Sequence, residues 1–230
     1  MNVLVVAAHP DDEVLGCGGV IAKHYQKGDQ VHILIVAEGA TSRDAQRDRE
    51  AKIPQLSSLA KAAHQASEIL GASSLNLLDF PDNRMDSCNL LDIIKEIEIA
   101  IQEHLPERIY THHPGDLNID HRRVSEAVVT AARPIPSHPI KTILFFEIPS
   151  STEWQVAIAS PSFIPNWFVD ISKTLSLKQK ALQAYEVEMR SYPHPRSLEA
   201  VTYLARWRGA TVGLDAAEAF ALGRYREYLL

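Results

Sequence analysis

Cysteine is scarce. Cys17 and Cys88 are the only two in 230 residues, and no CxxC pair exists. That excludes a thiolate zinc finger and a disulfide scaffold. Two free thiols fit a reducing compartment. A basic tract is also missing: 23 Lys and Arg face 29 Asp and Glu, for a net charge of -6. Nucleic-acid binding is therefore not expected, because neutralising phosphates needs clustered cations. No apolar run approaches the roughly 18 residues of a membrane span. Residues 1–8 have neither the basic segment nor the apolar length of an export signal. The expectation is a cytoplasmic protein without stable membrane insertion. Repeats and low-complexity tracts are absent too. The remainder, 46% hydrophobic and 23% charged, is ordinary globular composition.

The pattern along the chain alternates. Residues 3–8 are continuously apolar, as in a strand buried on both faces of a parallel sheet. A Gly-rich segment and a helical pattern run on to Lys27. A second strand spans 31–37, a polar loop 38–48, and a long helix 49–70, with Pro54 near its start and Gly71 as its C-cap. A short third strand at 75–78 leads into a turn-rich loop at 80–86. A helix at 90–103 places Leu90, Leu91, Ile94, Ile97 and Ile101 at helical spacing. A strand at 108–111, a loop at 112–120, a helix at 121–132 and a strand at 140–146 follow. The rhythm then changes to an irregular loop at 149–165, a short strand at 167–170, a helix at 172–189, a Pro-His-Pro loop and further helices.

Alternating β and α elements predict the α/β class: a Rossmann-like, mostly parallel sheet with helices on both faces. A single domain over 1–230 is expected. Residues 1–147 form its core, and 148–230 a helical and loop extension that shapes the site. Ligands of such sheets gather at the carboxyl ends of the strands. This directs attention to the loops after the first and fourth strands.

Those loops read Ala8-His9-Pro10-Asp11-Asp12-Glu13 and His112-His113-Pro114-Gly115-Asp116-Leu117-Asn118-Ile119-Asp120-His121. Imidazole and carboxylate are the zinc ligands available when thiolate is absent. His9 and Asp12 lie three apart in a strand-to-helix turn, and His121 falls in the first turn of the next helix. Two imidazoles and one carboxylate leave a coordination position open for water, which marks a catalytic site. Asp11, beside a ligand but not needed as one, is placed to act as general base. Read separately, His-Pro-Asp-Asp is more often a turn with helix-capping aspartates. Two such clusters at one edge of one sheet point to a metal site.

Ala8-His9-Pro10-Asp11-Asp12-Glu13 together with Asn118-Ile119-Asp120-His121 resembles the PIG-L/LmbE family of zinc-dependent N-acetylglucosaminyl deacetylases. The Phe80-Pro81-Asp82 loop and Pro193-His194-Pro195-Arg196-Ser197 add to the resemblance. It implies one zinc ion per subunit, held by His9, Asp12 and His121, with Asp11 as base. It also implies a small-molecule substrate, an N-acetylated sugar conjugate that is hydrolysed to acetate and free amine. Many family members carry His where this chain has Asn118. An amide donates hydrogen bonds but cannot carry positive charge. Either Asn118 serves as oxyanion donor, or His194 or His113 takes that role. Asp120 either orients His121 or His194, or caps the helix that carries His121.

Asp82, Asn83 and Arg84 face the same edge and suit sugar hydroxyls. Arg43, with Arg47 and Arg49, either binds an anionic group or belongs to a solvated face. Arg190, Arg196 and Arg206 either build the far wall of the site or are solvated. Gly16, Gly18 and Gly19 lack the GxGxxG spacing, so helix–sheet packing is the expected role and a nucleotide oxidoreductase is not. The alternatives to a deacetylase are an inactive metal- or sugar-binding module of the same fold, or another metallohydrolase such as a phosphoesterase. A homo-oligomer in which the His194 loop completes a neighbour's site stays open.

Overall fold

The computed structural model describes residues 1–136, 138–157 and 161–227. Thirteen principal elements follow in chain order: β1 (Asn2–Ala7), α1 (Asp12–Gln26), β2 (Gln30–Ala37), α2 (Ile53–Leu70), β3 (Ser74–Phe80), α3 (Leu90–His104), β4 (Arg108–His112), α4 (Ile119–Ala131), β5 (Thr142–Phe146), β6 (Trp167–Asp170), α5 (Leu175–Ala184), α6 (Leu198–Ala210) and β7 (Ala217–Tyr225). One seven-stranded sheet has the order β3-β2-β1-β4-β5-β7-β6. The strands β3, β2, β1, β4 and β5 pair in parallel, while β7 runs antiparallel to both β5 and β6.

The continuous apolar run of β1 explains its central place. Val3, Val5 and Ala7 enter one hydrophobic cluster and Leu4, Val6 and Ala8 the other, all essentially inaccessible. Successive side chains of a strand point to opposite faces, so a strand covered on both sides must be apolar throughout. Residues of α1, α2, α5 and α6 build the first cluster; residues of α3 and α4 build the second. On α3, Ile93, Ile97 and Ile101 follow one face and are buried. Each would cost about 2–5 kcal/mol if cut to Ala.

The glycines after β1 serve packing. A Cβ at Gly16 would lie 2.5 Å from the Phe146 ring, and one at Gly19 2.9 Å from Ile171. The helix is also interrupted here, with Cys17 at φ -150 and ψ 24. A buried ion pair fills the gap. Lys178 Nζ donates to the Leu15 carbonyl at 2.8 Å and to Glu218 Oε1 at 2.6 Å. Glu218 in turn accepts from the backbone amides of Gly19 and Val20. These amides and that carbonyl would otherwise pair within the helix. Insertion of side chains into the ladder is a recognised cause of a kink.

Glu218 lies on β7, where the sequence pattern predicts further helices. Ala-Glu-Ala-Phe-Ala-Leu has strong helix formers, but tertiary contacts override such propensities. Here β5 offers an open edge, Phe146 pairs with Phe220 in the ladder, and Gly223 lets the Phe145 ring approach closely. The C-terminal extension thus completes the sheet. The helix expected over 172–189 is shorter, as α5, and the one over 49–70 begins at Ile53.

Candidate metal centre and catalytic carboxylate

In strand order, β1 stands between β2 and β4, so connections leave it in opposite directions. The crevice beyond such a switch point is where open α/β sheets bind ligands. The Ala8–Glu13 segment leaves β1 there, and the segment from His112 to His121 leaves β4.

His9, Asp12 and His121 converge. Their candidate ligand atoms all lie within 4.8 Å of one another. His9 Nδ1 and His121 Nε2 are each 3.2 Å from Asp12 Oδ2. Two atoms bound about 2 Å from one tetrahedral cation would stand about 3.3 Å apart. The ring centroids of His9 and His121 are 5.4 Å apart. Asp12 and His121 are buried, and His9 is 13% exposed in its side chain. Asp12 Oδ1 and both ring nitrogens of His121 lack a hydrogen-bond partner among the described residues. Buried polar atoms left unpaired call for an explanation, and a divalent cation supplies one.

The local field agrees. Burial pushes the His121 imidazole down, but Asp12 and Asp116 outweigh it and raise its pKa to about 9. His9 is likewise raised despite burial, through Asp12 and Asp120. Burial raises the Asp12 carboxyl, yet His121 and His9 hold it well below the usual carboxylate range. The pocket favours positive charge.

A second triplet, His9, Asp82 and Asp120, also has metal-ligand spacing. His9 Nε2 is 3.0 Å from Asp120 Oδ2 and 3.3 Å from Asp82 Oδ1. These carboxylates are already engaged. Asp120 accepts from the amides of Asn83 and Met85, and Asp82 from the amide of Ser42 and the Asn83 side chain. The orphaned atoms favour the first triplet. The second orients His9 from behind, as carboxylates beside metal-binding imidazoles do.

Asp120 therefore does neither thing expected of it. It reaches neither His121 nor His194, and it does not cap α4. Asn118 is the cap, accepting from the Asp120 amide at 2.8 Å, while its Nδ2 donates to Asn83 Oδ1. His121 faces Asp116 instead, with Nδ1 3.1 Å from Asp116 Oδ1. Asp116 is wholly buried and also accepts from Ser151 Oγ and Thr152 Oγ1. Its carboxyl lies below the ordinary range, because His121 and the two hydroxyls outweigh burial. His112 is fully buried. Its Nε2 accepts the Ala8 amide at 2.8 Å, so that nitrogen has no lone pair left for metal. It stacks on His121 at 4.0 Å and fixes that ring.

Asp11 ends the β1 loop at φ 111, an uncommon conformation for a side-chain-bearing residue. Its amide donates to Glu13 Oε2, and Glu13 Oε1 accepts from Tyr185. Burial raises the Glu13 carboxyl to about 7. Asp11 is buried as well, and that burial raises its carboxyl although Arg196 opposes the shift. Arg196 Nη1 donates to Asp11 Oδ2 at 2.9 Å. Of the two readings open for Arg196, the structure supports the wall of the site.

His194 Nδ1 accepts the Arg196 amide, and its ring meets Trp154 edge-on at 5.8 Å. His113 pairs through Nε2 with the Pro161 carbonyl and packs against Phe163. Arg84 donates to the carbonyls of Asp44 and Ala45, which staples the loop after β2. Arg43 pairs with Glu188 and is largely exposed. Arg47 and Arg49 both pair with Glu38. No helix among the described residues is long and apolar enough to cross a membrane.

The fold and the site define an α/β protein of the Rossmann-like kind, with a His-Asp-His cluster of metal-ligand spacing at the carboxyl edge of its sheet. Residues 4–132 match the family described as PIG-L, GlcNAc-PI de-N-acetylase, and the chain belongs to that family. It is 30% identical to the uncharacterized deacetylase YaiS of Escherichia coli (strain K12), over 80% of this chain and 90% of that one. It is 29% identical to the probable N-acetyl-alpha-D-glucosaminyl L-malate deacetylase 2 of Bacillus cereus, over 80% and 82%. Among solved structures, the 4-carboxy-2-hydroxymuconate hydratase of Pseudomonas putida KT2440 matches with a TM-score of 0.74 and 25% identity, over 100% of this chain and 99% of that one. Family membership and the deacetylase relatives support an amidohydrolase. The hydratase shows that the same architecture also carries other water chemistry.

Proposed function

We propose that the protein is a zinc-dependent N-deacetylase that hydrolyses the acetamide of an N-acetylglucosamine-type conjugate to acetate and a free amine. One observation carries the reading: the candidate ligand atoms of His9, Asp12 and His121 lie within 4.8 Å of one another, with Asp12 Oδ1 left without a partner among the described residues, and Asp11, next to Asp12 in the chain, is buried. A cation held there supplies Lewis acidity toward a carbonyl oxygen and acidifies water.

The chain's own groups do the rest. Asp11 takes the proton of the attacking water through Oδ1, since Oδ2 is held by Arg196. Charge developing on the acetamide oxygen needs donors aimed at it. The second N–H of Asn118, His194 and His113 are the candidates. His194 is the best suited of the three, because its Nδ1 accepts a backbone amide and the ring proton therefore sits on Nε2. The proton held by Asp11 then passes to the departing amine. Asp82 and Asn83 line the sugar side. Asp82 also borders His9, so a hydroxyl bound there would lie next to the reacting centre.

Metal analysis of the purified protein, joined to acetate detection across a panel, tests this. The panel comprises N-acetylglucosamine, diacetylchitobiose and an N-acetylglucosaminyl malate. About one zinc per chain and acetate release from at least one conjugate are expected. Metal-replete protein that releases no acetate from any of them overturns the reading. The whole-chain likeness to a hydratase supports one competitor, water addition to an unsaturated carboxylate. That activity would consume such a substrate without forming acetate.

A further inference from the structure

We propose that Arg196 is the positioning residue of the catalytic carboxylate: its guanidinium clamps Asp11 by Oδ2 and leaves Oδ1 as the oxygen that takes the water's proton. This rests on Asp11 acting as the base.

Two independent restraints meet on Asp11. Its backbone is held at φ 111 by the Glu13 carboxylate, which is itself anchored by the Tyr185 hydroxyl. Its side chain is held from the opposite end of the sequence by Arg196, 185 residues away. Among the described residues, Arg196 is the one cation within ion-pair distance of Asp11, and the bond to Oδ2 is the one side-chain hydrogen bond to that carboxylate. A carboxylate can rotate about χ2. Pinning one oxygen removes that freedom and selects which oxygen meets the reacting water, a contribution of orientation rather than of binding.

The clamp is itself rigid. Arg196 Nε donates to Ser150 Oγ at 2.8 Å, so the fork grips two acceptors at once. The turn that delivers it is tied internally. Arg190 N donates to the Arg196 carbonyl, Arg196 N to His194 Nδ1 and Ser197 N to the His194 carbonyl, and Ser197 caps α6. Arg196 is 23% exposed and Asp11 2%, so solvent screens the pair only in part. A guanidinium can bridge Ser150 and Asp11 in one plane, and an ammonium cannot reproduce that fork.

The test combines kinetics, metal content and unfolding on the full chain. Arg196→Ala should lower kcat about 100-fold, within the range of general acid–base catalysis. KM should change less than about 3-fold and bound zinc not at all, as expected for an interaction that matters mainly in the transition state. Arg196→Lys should recover part of the loss. Added guanidinium ion should raise kcat of Arg196→Ala by about 10-fold and leave Asp11→Asn unmoved, because the ion needs its carboxylate partner. An Arg196→Ala kcat within about 3-fold of wild type overturns the proposal. So does a loss that tracks lost zinc, or an equal guanidinium response in Asp11→Asn.

A urea double-mutant cycle with Asp11→Asn and Arg196→Ala provides a readout free of substrate. Non-additive unfolding constants, by about 3-fold or more, support the clamp, and additive ones overturn it. Wild-type protein that turns over no conjugate removes the deacetylase reading instead, while the cycle still decides whether Arg196 holds Asp11.

Discussion

The two edges of the sheet each hold a buried imidazole beside carboxylates, and they treat it differently. At the amino edge, His24 Nδ1 meets Asp29 Oδ2 at 2.7 Å and Nε2 meets the Tyr110 hydroxyl at 3.0 Å. Every polar atom of that ring has a partner. Asp29 has a second one in the Met1 amino group. At the carboxyl edge, His121 lies among Asp12 and Asp116, yet neither ring nitrogen makes an aligned hydrogen bond, and Asp12 Oδ1 has none. Residue type and burial are similar at the two edges. Saturation separates them. A satisfied cluster holds the fold, whereas an unsatisfied one in a crevice is arranged around something it binds.

Substitution can break that contrast. His121→Ala should abolish metal binding and turnover together, whereas His24→Ala should keep both; metal analysis beside an acetate assay reads each. Chelation of wild type should reproduce the His121→Ala result. Asp11→Asn should retain metal and lose turnover by about 10²–10⁴. If it instead keeps near wild-type turnover with metal bound, the base lies elsewhere.

Smaller effects sharpen the contrast through stability. Lys178→Met should destabilise by about 3–5 kcal/mol in urea unfolding, since it strands Glu218 in the core. A loss below about 1 kcal/mol would mean that the pair does not brace the α1 kink. The smallest effect concerns pH. Burial lowers the His24 pKa in the folded state, ahead of the opposing pull of Asp29. A lowered imidazole leaves stability untouched above its unfolded pKa of about 6.5. It then costs stability as pH falls below that value, because the unfolded chain binds the proton more readily. Wild type should therefore lose more stability than His24→Asn between pH 7 and 5.5, as read by urea midpoints. Equal losses would show that His24 does not titrate in this window.

Much of this was readable from the residues. The uninterrupted apolar run at 3–8 marks a strand covered on both faces, and the two His- and Asp-rich loops fall where parallel strands end. His9, Asp12 and His121 stand out in the sequence as residue types able to hold a metal, and the fold brings them together. Asp116 and His112 act on His121 or its neighbourhood through contacts across loops, and no spacing encodes that. A helix start attracts Asp and Asn alike. Asn118 took the cap, which left the Asp120 carboxylate to reach back toward β1. The strand at Ala217–Tyr225 was read as helical because its alanines favour helix; only the vacant edge of β5 made it extended. Arg196 stayed undecided between wall and solvent, since nothing local in a Pro-His-Pro-Arg-Ser turn points to a partner 185 residues earlier.

The class of fold and the kinds of group at the site follow from the residues alone, because hydrophobic periodicity and ligand chemistry are local properties. Tertiary structure decided which atoms are left unpaired, which carboxylate braces which imidazole, and which guanidinium reaches Asp11. Those outcomes depend on distances between segments far apart in the chain, and they are fixed only when the two faces of the sheet are packed.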